Sequence, residues 1–352
     1  RGFNPKTNIF PSFLSDDFTS MAVGKWHMGL DTDYPKLEMH ALNRGFDECY
    51  KFMGRGGHDY FQLRGVKGTE YAPIYRNKER IKKGDYEGYL TTRLAEEAVA
   101  DGCEVVVAAG GDGTIQEVSN GLVRHPRGLK HAALAVLPLG TVNVLARELR
   151  IPLDFDSAWR VIQQGVTSRV DLPWIDFQVD GQAQRRCFPA LAGAGMDARA
   201  CELVQWETKK MSGQFAYLLA GLQTLREDLP TFTVQTPEKT VPSADLVMFG
   251  NGHMYGGPFD VFPHASLVDG KLDAIVVERV AAWRFPEYTR AILTGNLPGL
   301  EGVHYLQSAE FELIPHENRR VPVQLDGDTM GELPGKITVE PLALRMVLPS
   351  KE

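Results

Sequence analysis

The rhythm of apolar positions changes near residue 90. From Leu90 to Ala100, Leu94 and Ala98 fall on one side and Glu96–Glu97 on the other, which predicts a short helix. Glu104 to Ala109 contains Val105-Val106-Val107 and reads as a buried strand. Gly110-Gly111-Asp112-Gly113-Thr114 closes that strand, and Ile115 to Val123 follows as a helix with Ile115, Val118 and Leu122 on one face. Ala132 to Leu137 is a second strand-like run, ended by Pro138-Leu139-Gly140, and Val144 to Leu149 reads as another helix. Strand, loop, helix and strand in that order predict a parallel α/β layer.

Past Pro152 the pattern turns to strands. The expected ones are Ser168–Asp171, Trp174–Val179, Arg186–Ala192, Thr231–Gln235, Leu246–Asn251, Leu272–Val277, Ala309–Ile314, Val321–Leu325 and Ala343–Leu348. One longer helix, Gly213 to Arg226, is expected among them. Short strands punctuated by Gly and Pro predict a β-sandwich-like second domain. Residues 1–89 have few long apolar periodic segments and are rich in Gly, Asp, Tyr, Lys and Arg. The predicted organisation is therefore an N-terminal segment, 1–97, a partial nucleotide-binding domain, 98–152, and a β-rich domain, 153–352.

Bulk composition narrows the chemistry. The chain has 352 residues and a net charge of −7, which gives no footprint for nucleic acid. Cys49, Cys103, Cys187 and Cys201 are far apart and form no CxxC pair, so neither a zinc site nor a disulfide framework is indicated. Reduced thiols suggest the cytoplasm. No apolar run reaches the roughly 18 residues that a membrane-spanning helix needs. The run Leu134 to Leu145 is broken by Pro138 and Gly140, so any membrane contact is expected to be peripheral.

GGDGT between a strand and a helix has the makings of an anion cradle. Glycine permits close backbone approach, and exposed N–H groups at a helix start favour phosphate. Thr114 adds a hydroxyl. Asp112 is the odd member: a carboxylate beside phosphates calls for a cation such as Mg²⁺, bound directly or through water. A plain Gly-Asp-Gly turn is the competing reading. A second loop of the same kind, Pro138-Leu139-Gly140-Thr141-Val142-Asn143, would converge with the first on one crevice.

Together with Glu117, Asn120 and Gly121, these loops resemble the bacterial diacylglycerol and related lipid kinases. Further matching segments follow in the same order: Ala192–Ala198, Asn251–Gly257, Pro263–Asp273 and Leu325–Pro334. The resemblance implies that Gly110, Gly111, Asp112, Gly113, Thr114, Ile115, Gln116, Glu117, Thr141 and Asn143 hold ATP. It implies a Mg²⁺ on Asp269 with the carbonyls of Ser266 and Lys271. The segment Val268-Asp269-Gly270-Lys271 also reads as a hairpin turn, and the two readings are compatible. The LDGD segment would supply the catalytic base, Asp328, where the family has a glutamate. The implied reaction moves the ATP γ-phosphoryl group to a lipid hydroxyl at a membrane surface. Asp197 and the stripe Phe215, Leu218, Leu219, Leu222 and Leu225 fall where the family faces lipid; ordinary helix core explains the stripe as well. An NAD kinase shares GGDGT and is the nearest enzymatic alternative.

Residues 8–97 read differently. Met21–Gly29, including Lys25-Trp26-His27, with Asn43–Glu48, Gly57–Phe61 and Gly88–Leu94, resemble the sulfatase family. That family's formylglycine-forming cysteine motif and acidic calcium ligands have no counterpart here, so sulfatase chemistry is not expected. The kinase family's first strand, with an Asn-Pro-x-Ser-Gly loop, and the threonine-bearing strand after it are displaced by this stretch. Asn4-Pro5-Lys6-Thr7 lies too far upstream to replace them. The sequence thus predicts an incomplete sheet with weak or no activity, or an inactive fusion that still binds lipid.

Overall fold

The computed structural model describes residues 90–207, 230–316 and 319–350, together with the backbone of four N-terminal strands. Those strands belong to a separate unit, Arg1–Leu94. Met21–Lys25 pairs parallel with Glu48–Phe52, which pairs antiparallel with Ile74–Arg76, and that in turn with Glu79–Arg80. Lys25 ends the first strand, whereas His27 lies outside the described residues, as does the expected helix Gly213–Arg226 with its apolar stripe.

The second unit, Ala95–Glu352, opens with the expected parallel pair. Val105–Gly110 runs beside Ala133–Pro138 in register, Val105 opposite Ala133 and Gly110 opposite Pro138. Ala133–Pro138 is buried throughout, as an all-apolar strand between layers must be. Val105–Gly110 is not. Val105 is 40% exposed, and among the described strands its outer edge has no partner.

The β-rich part departs from expectation in its strand lengths and helices. The runs Ser168–Asp171 and Trp174–Val179 form one strand, Thr167–Val179, because Pro173 sits where its missing N–H breaks no essential ladder. The expected strand Arg186–Ala192 is two, Gln182–Cys187 and Leu191–Gly195, interrupted at Phe188–Ala190. Ala343–Leu348 is the end of a 20-residue strand, Asp328–Val347. Strands Thr240–Ala244 and Val303–Ser308 were not expected. The reading of one helix among the strands is corrected: Phe155–Gln164, Met196–Glu207 and Phe285–Leu293 are all helical. Asp154 caps the first through the Ser157 amide at 2.9 Å, and Gly165 ends it at φ +66°.

One hydrogen-bonded path runs through Thr240–Ala244, Phe232–Gln235, Glu310–Pro315, Asp328–Val347, Pro322–Leu325, Leu191–Gly195, Leu246–Gly250, Leu272–Val277 and Val303–Ser308. The path folds over on itself. Phe249 and Phe311, four pairings apart along it, meet edge to face with centroids 5.1 Å apart inside the shared core. Leu246–Gly250 is buried on both faces. Val247 and Phe249 enter the sandwich core, while Met248 joins a second cluster with Val261, Phe262, Ile275 and Tyr288. That second face carries the cavity described next.

Candidate phosphotransfer site and adjoining cavity

The two glycine loops meet backbone to backbone. Leu139 N–H donates to Gly110 O at 3.0 Å, and a Cβ on Gly140 would fall on the Gly111 backbone. Thr114 folds back over Gly110, in space that a side chain there would need. The helix is longer than expected, Asp112–Arg124, so Asp112, Gly113 and Thr114 form its first turn. Its N-cap is Gly111, with no side-chain cap, which leaves the first amides facing the crevice. Glycine is thus needed for the loops to pack against each other, and the uncapped amides at the helix start suit a phosphate chain.

Asp112 has a different task from the one its charge suggested. Its carboxylate accepts from Val144 N–H and Leu145 N–H, both at 3.0 Å, and so caps the helix Val144–Glu148 of the second loop. Two amides, rather than an obligatory cation, stabilise an acid beside the cradle. Asn143 is also redirected. It is buried at φ +55°, accepting from Gly140 N–H at 3.0 Å and donating to Gly140 O at 2.8 Å. It shapes the loop with its own side chain, while Thr141 is exposed.

Three other residues expected to contact the nucleotide have side chains engaged within the fold. Ile115 and Gln116 are each 1% exposed, on the helix face turned to the core. Glu117 pairs with Arg186 at 2.8 Å, both nearly buried. Asn120 secures the same helix by bonding both backbone groups of Cys187. Replacing Arg186 by methionine is expected to cost about 3–5 kcal/mol, because Glu117 then stays buried without its guanidinium. Urea unfolding of the variant measures this, and restoration by Glu117→Gln in the same chain checks its cause.

Asp328 reaches the cradle from the β-sandwich. Leu325 and Asp328 face each other across the two-residue turn Asp326-Gly327, whose φ values of +48° and +91° suit the tight hairpin that Asp-Gly favours. A Cβ on Gly113 would stand 2.7 Å from an Asp328 carboxylate oxygen. The last glycine of GGDGT is thus the space the acid occupies. Burial raises the Asp328 pKa to about 6, against the lowering effect of the Arg186 charge. Asp326 is pushed well above the carboxylate range by burial; the Leu191 amide opposes the shift, and nearby Asp112 and Asp328 add to it.

A cavity of about 560 Å³ adjoins this corner. Asp112, Val142, Asp326 and Gly327 stand in its wall at the glycine loops, whereas Thr114, Thr141 and Asp328 do not line it. The remaining wall is mainly apolar, including Met196, Met248, Phe259, Phe285 and Ile292. One polar cluster interrupts it. Tyr255 O–H donates to Asp197 at 2.6 Å, Gln324 Nε2 donates to the same oxygen at 2.9 Å, and Gly327 N–H donates to Gln324 Oε1 at 2.9 Å. Burial raises Asp197 to about 6, with Tyr255 and Gln324 opposing.

The expected Mg²⁺ residues lie elsewhere, in the turn after Pro263. Asp269 accepts from Lys271 N–H at 3.0 Å, and Ser266 Oγ accepts from Val268 N–H at 3.4 Å. Asp273, buried nearby, accepts from Tyr305. Among the described residues no group of three His, Cys, Asp or Glu side chains is placed to hold a metal. An all-oxygen set of one carboxylate and two carbonyls is still chemistry that Mg²⁺ accepts. Sequence spacing could not have found Arg186, Tyr255, Gln324 or Asp326, since each meets its partner across the fold.

A glycine cradle at the ends of parallel strands, faced by an acid from a β-sandwich, defines a phosphotransferase. Comparison with known proteins specifies it. Residues 71–175 match the model of the diacylglycerol kinase catalytic domain, and residues 190–348 match the YegS C-terminal NAD kinase beta sandwich-like domain. The first match begins inside residues 8–97, which the sequence motifs alone set apart as sulfatase-like. A relative described as "Probable lipid kinase YegS-like" from Pseudomonas aeruginosa PAO1 is 32% identical over 326 residues, covering 91% of this chain and 96% of that protein. A diacylglycerol kinase of Bacillus subtilis is 28% identical over 264 residues, covering 74% of this chain and 83% of that one. A solved diacylglycerol kinase structure from Bacillus anthracis shares the fold, with a TM-score of 0.56 at 18% identity over 94% of this chain and 97% of that one. The chain belongs to the YegS-like lipid kinase family, built on the diacylglycerol kinase catalytic domain.

Proposed function

We propose that the protein transfers the γ-phosphoryl group of ATP to a primary hydroxyl of a membrane lipid, with Asp328 as general base. The observation that carries this reading is that one corner joins three features. The Gly110–Thr114 cradle and the Asp328 carboxylate over Gly113 meet there, and the apolar cavity borders them through Asp112, Asp326 and Gly327. Backbone amides at Gly111–Gly113 and the loop at Gly140–Thr141 hold the phosphates. Asp328 takes the hydroxyl proton as the lipid oxygen attacks, and ADP leaves from the far side. Mg²⁺ would neutralise phosphate charge and, on Asp269 with the carbonyls of Ser266 and Lys271, brace the sandwich. The acyl part lies in the apolar cavity, and Asp197, Tyr255 and Gln324 meet the polar end of the lipid. Diacylglycerol suits this division between two apolar chains and one free hydroxyl. Among the described residues no helix is long and apolar enough to cross a membrane, and the proposed working place is the cytoplasmic membrane surface.

Among the described strands the outer edge of Val105–Gly110 has no partner, and this is the edge at which the sequence reading expects strands to be missing. The sulfatase-like origin of residues 8–97 rests on their motifs alone. An NAD kinase reading is disfavoured by the apolar cavity wall, which offers a dinucleotide few polar partners. The deciding experiment supplies labelled ATP with diacylglycerol, phosphatidylglycerol, a sphingoid base or NAD. Label in a lipid is expected; label in NAD alone, or in no acceptor, overturns the proposal.

A further inference from the structure

The helix Phe285–Leu293 forms one wall of the cavity. Phe285, Tyr288, Thr289, Ile292 and Leu293 all line it. Its two ends reach the surface. Leu293 lines the cavity yet is 66% exposed, so the cavity opens beside it. At the other end Trp283 is 80% exposed, the most exposed large apolar side chain among the described residues. It is tied to the wall through Arg284, whose guanidinium lies 6.0 Å from the Trp283 ring and 5.2 Å from the ring of cavity-lining Tyr288. Arg284 is fixed in turn by Glu287 at 2.7 Å and by Glu301 O at 2.8 Å. Trp283 does not line the cavity itself; with Leu293 it gives the helix an exposed apolar side chain at each end.

We propose that this helix face, with Trp283 at one end and Leu293 at the other, docks on a lipid bilayer and admits the acyl chains of the substrate to the cavity beside Leu293. The inference rests on the lipid kinase reading and adds which face meets the membrane. The occupant follows from continuity. The same cavity is lined by Asp112, Asp326 and Gly327, so a lipid entering beside Leu293 shares a mainly apolar space with the phosphotransfer corner. Tryptophan at the headgroup level, with an apolar side chain reaching deeper, is how peripheral elements seat on a bilayer. Charge adds a second feature. From Glu278 to Glu301 the chain carries Arg279, Arg284 and Arg290 against Glu278, Glu287 and Glu301, three of each sign. A neutral face binds through apolar insertion, so it needs no anionic lipid.

The test uses the full chain and vesicles of phosphatidylcholine, alone or mixed with phosphatidylglycerol, with the bound fraction read by sedimentation. Wild type is expected to bind both kinds with similar affinity, with little change at high salt. Trp283→Ser is expected to weaken binding about tenfold, and Trp283→Phe to retain it. Phosphorylation of a short-chain, water-soluble diacylglycerol is expected to be unchanged in Trp283→Ser, while phosphorylation of lipid in vesicles falls with binding. Failure of wild type to sediment with vesicles, equal binding of wild type and Trp283→Ser, or binding that requires phosphatidylglycerol and vanishes with salt would each overturn the docking face. Equal loss on soluble and vesicle lipid would also overturn it, since Trp283 would then be acting on the fold. If vesicle binding depends on Trp283 but no lipid is phosphorylated, the docking face stands and the kinase reading falls.

Discussion

Asp328→Asn is expected to lower the turnover number about 10²–10⁴-fold while leaving the affinity for ATP within a few-fold, because it removes the proton acceptor and keeps the shape. The pH profile identifies the cause. Wild-type activity should rise through a midpoint near pH 6 as Asp328 ionises, and the residual activity of the variant should lack that limb. Stability should move the opposite way. A carboxyl whose folded pKa is raised binds its proton more tightly in the folded state, so wild type loses stability as pH rises from about 4 to about 6 and does not regain it above. Asp328 is partly exposed, and solvent screening trims the effect to about 1–2 kcal/mol. Above pH 7 the inactive variant should therefore melt higher than wild type. An asparagine variant that is both inactive and less stable, with the pH limb intact, would remove Asp328 from the chemistry.

The second large effect is steric. Gly140→Ala places a methyl on the Gly111 backbone and within 2.7 Å of the Asn143 amide oxygen that organises the loop. Neither is the loose end of a flexible side chain, so the two glycine loops must part. The expected result is a loss of about 1–3 kcal/mol in stability and at least about a tenfold rise in the KM for ATP. Vesicle binding should be unaffected. Denaturant unfolding and ATP titration measure the two effects separately. A variant with normal ATP affinity would show that the loop contact does not shape the phosphate site.

Local pattern carried the parallel pair and its loops, because two apolar strands that each run into a glycine-bearing loop have few other ways to fold. Asp328 came instead from the likeness of its LDGD segment to the lipid kinases, and the tight Asp326-Gly327 hairpin was not read from pattern. Pattern failed where partners are remote. Asp112 looked like an acid that needed a cation, and only the fold supplies the Val144 and Leu145 amides that occupy it. Glu117 looked like part of a phosphate motif, but its partner is Arg186, 69 positions later. Helix Phe285–Leu293 was missed although Phe285, Tyr288 and Ile292 share one face, because nine residues with Pro286 in the first turn make a short signal. Gln324 looked like one more strand residue until Asp197 and Tyr255 closed around it.

The strand Asp328–Val347 begins at the proposed base and ends beside the nucleotide strand, where Met346 pairs with Leu134. Its ladder with Thr167–Val179 shifts register between Glu340 and Leu344. There the buried Asp171 carboxylate receives Leu342 N–H at 2.7 Å and Gly270 N–H at 2.6 Å. A single covalent girder thus spans the acid and the phosphate crevice, and of its two register shifts, at Glu332–Lys336 and Glu340–Leu344, the second is clamped. Wide jaw-like closure around a substrate would have to break that girder or its clamp. Reactants in this enzyme must instead be brought together by short loops and by sliding of the lipid, so turnover should tolerate crosslinks between the two lobes that would stall a hinged kinase.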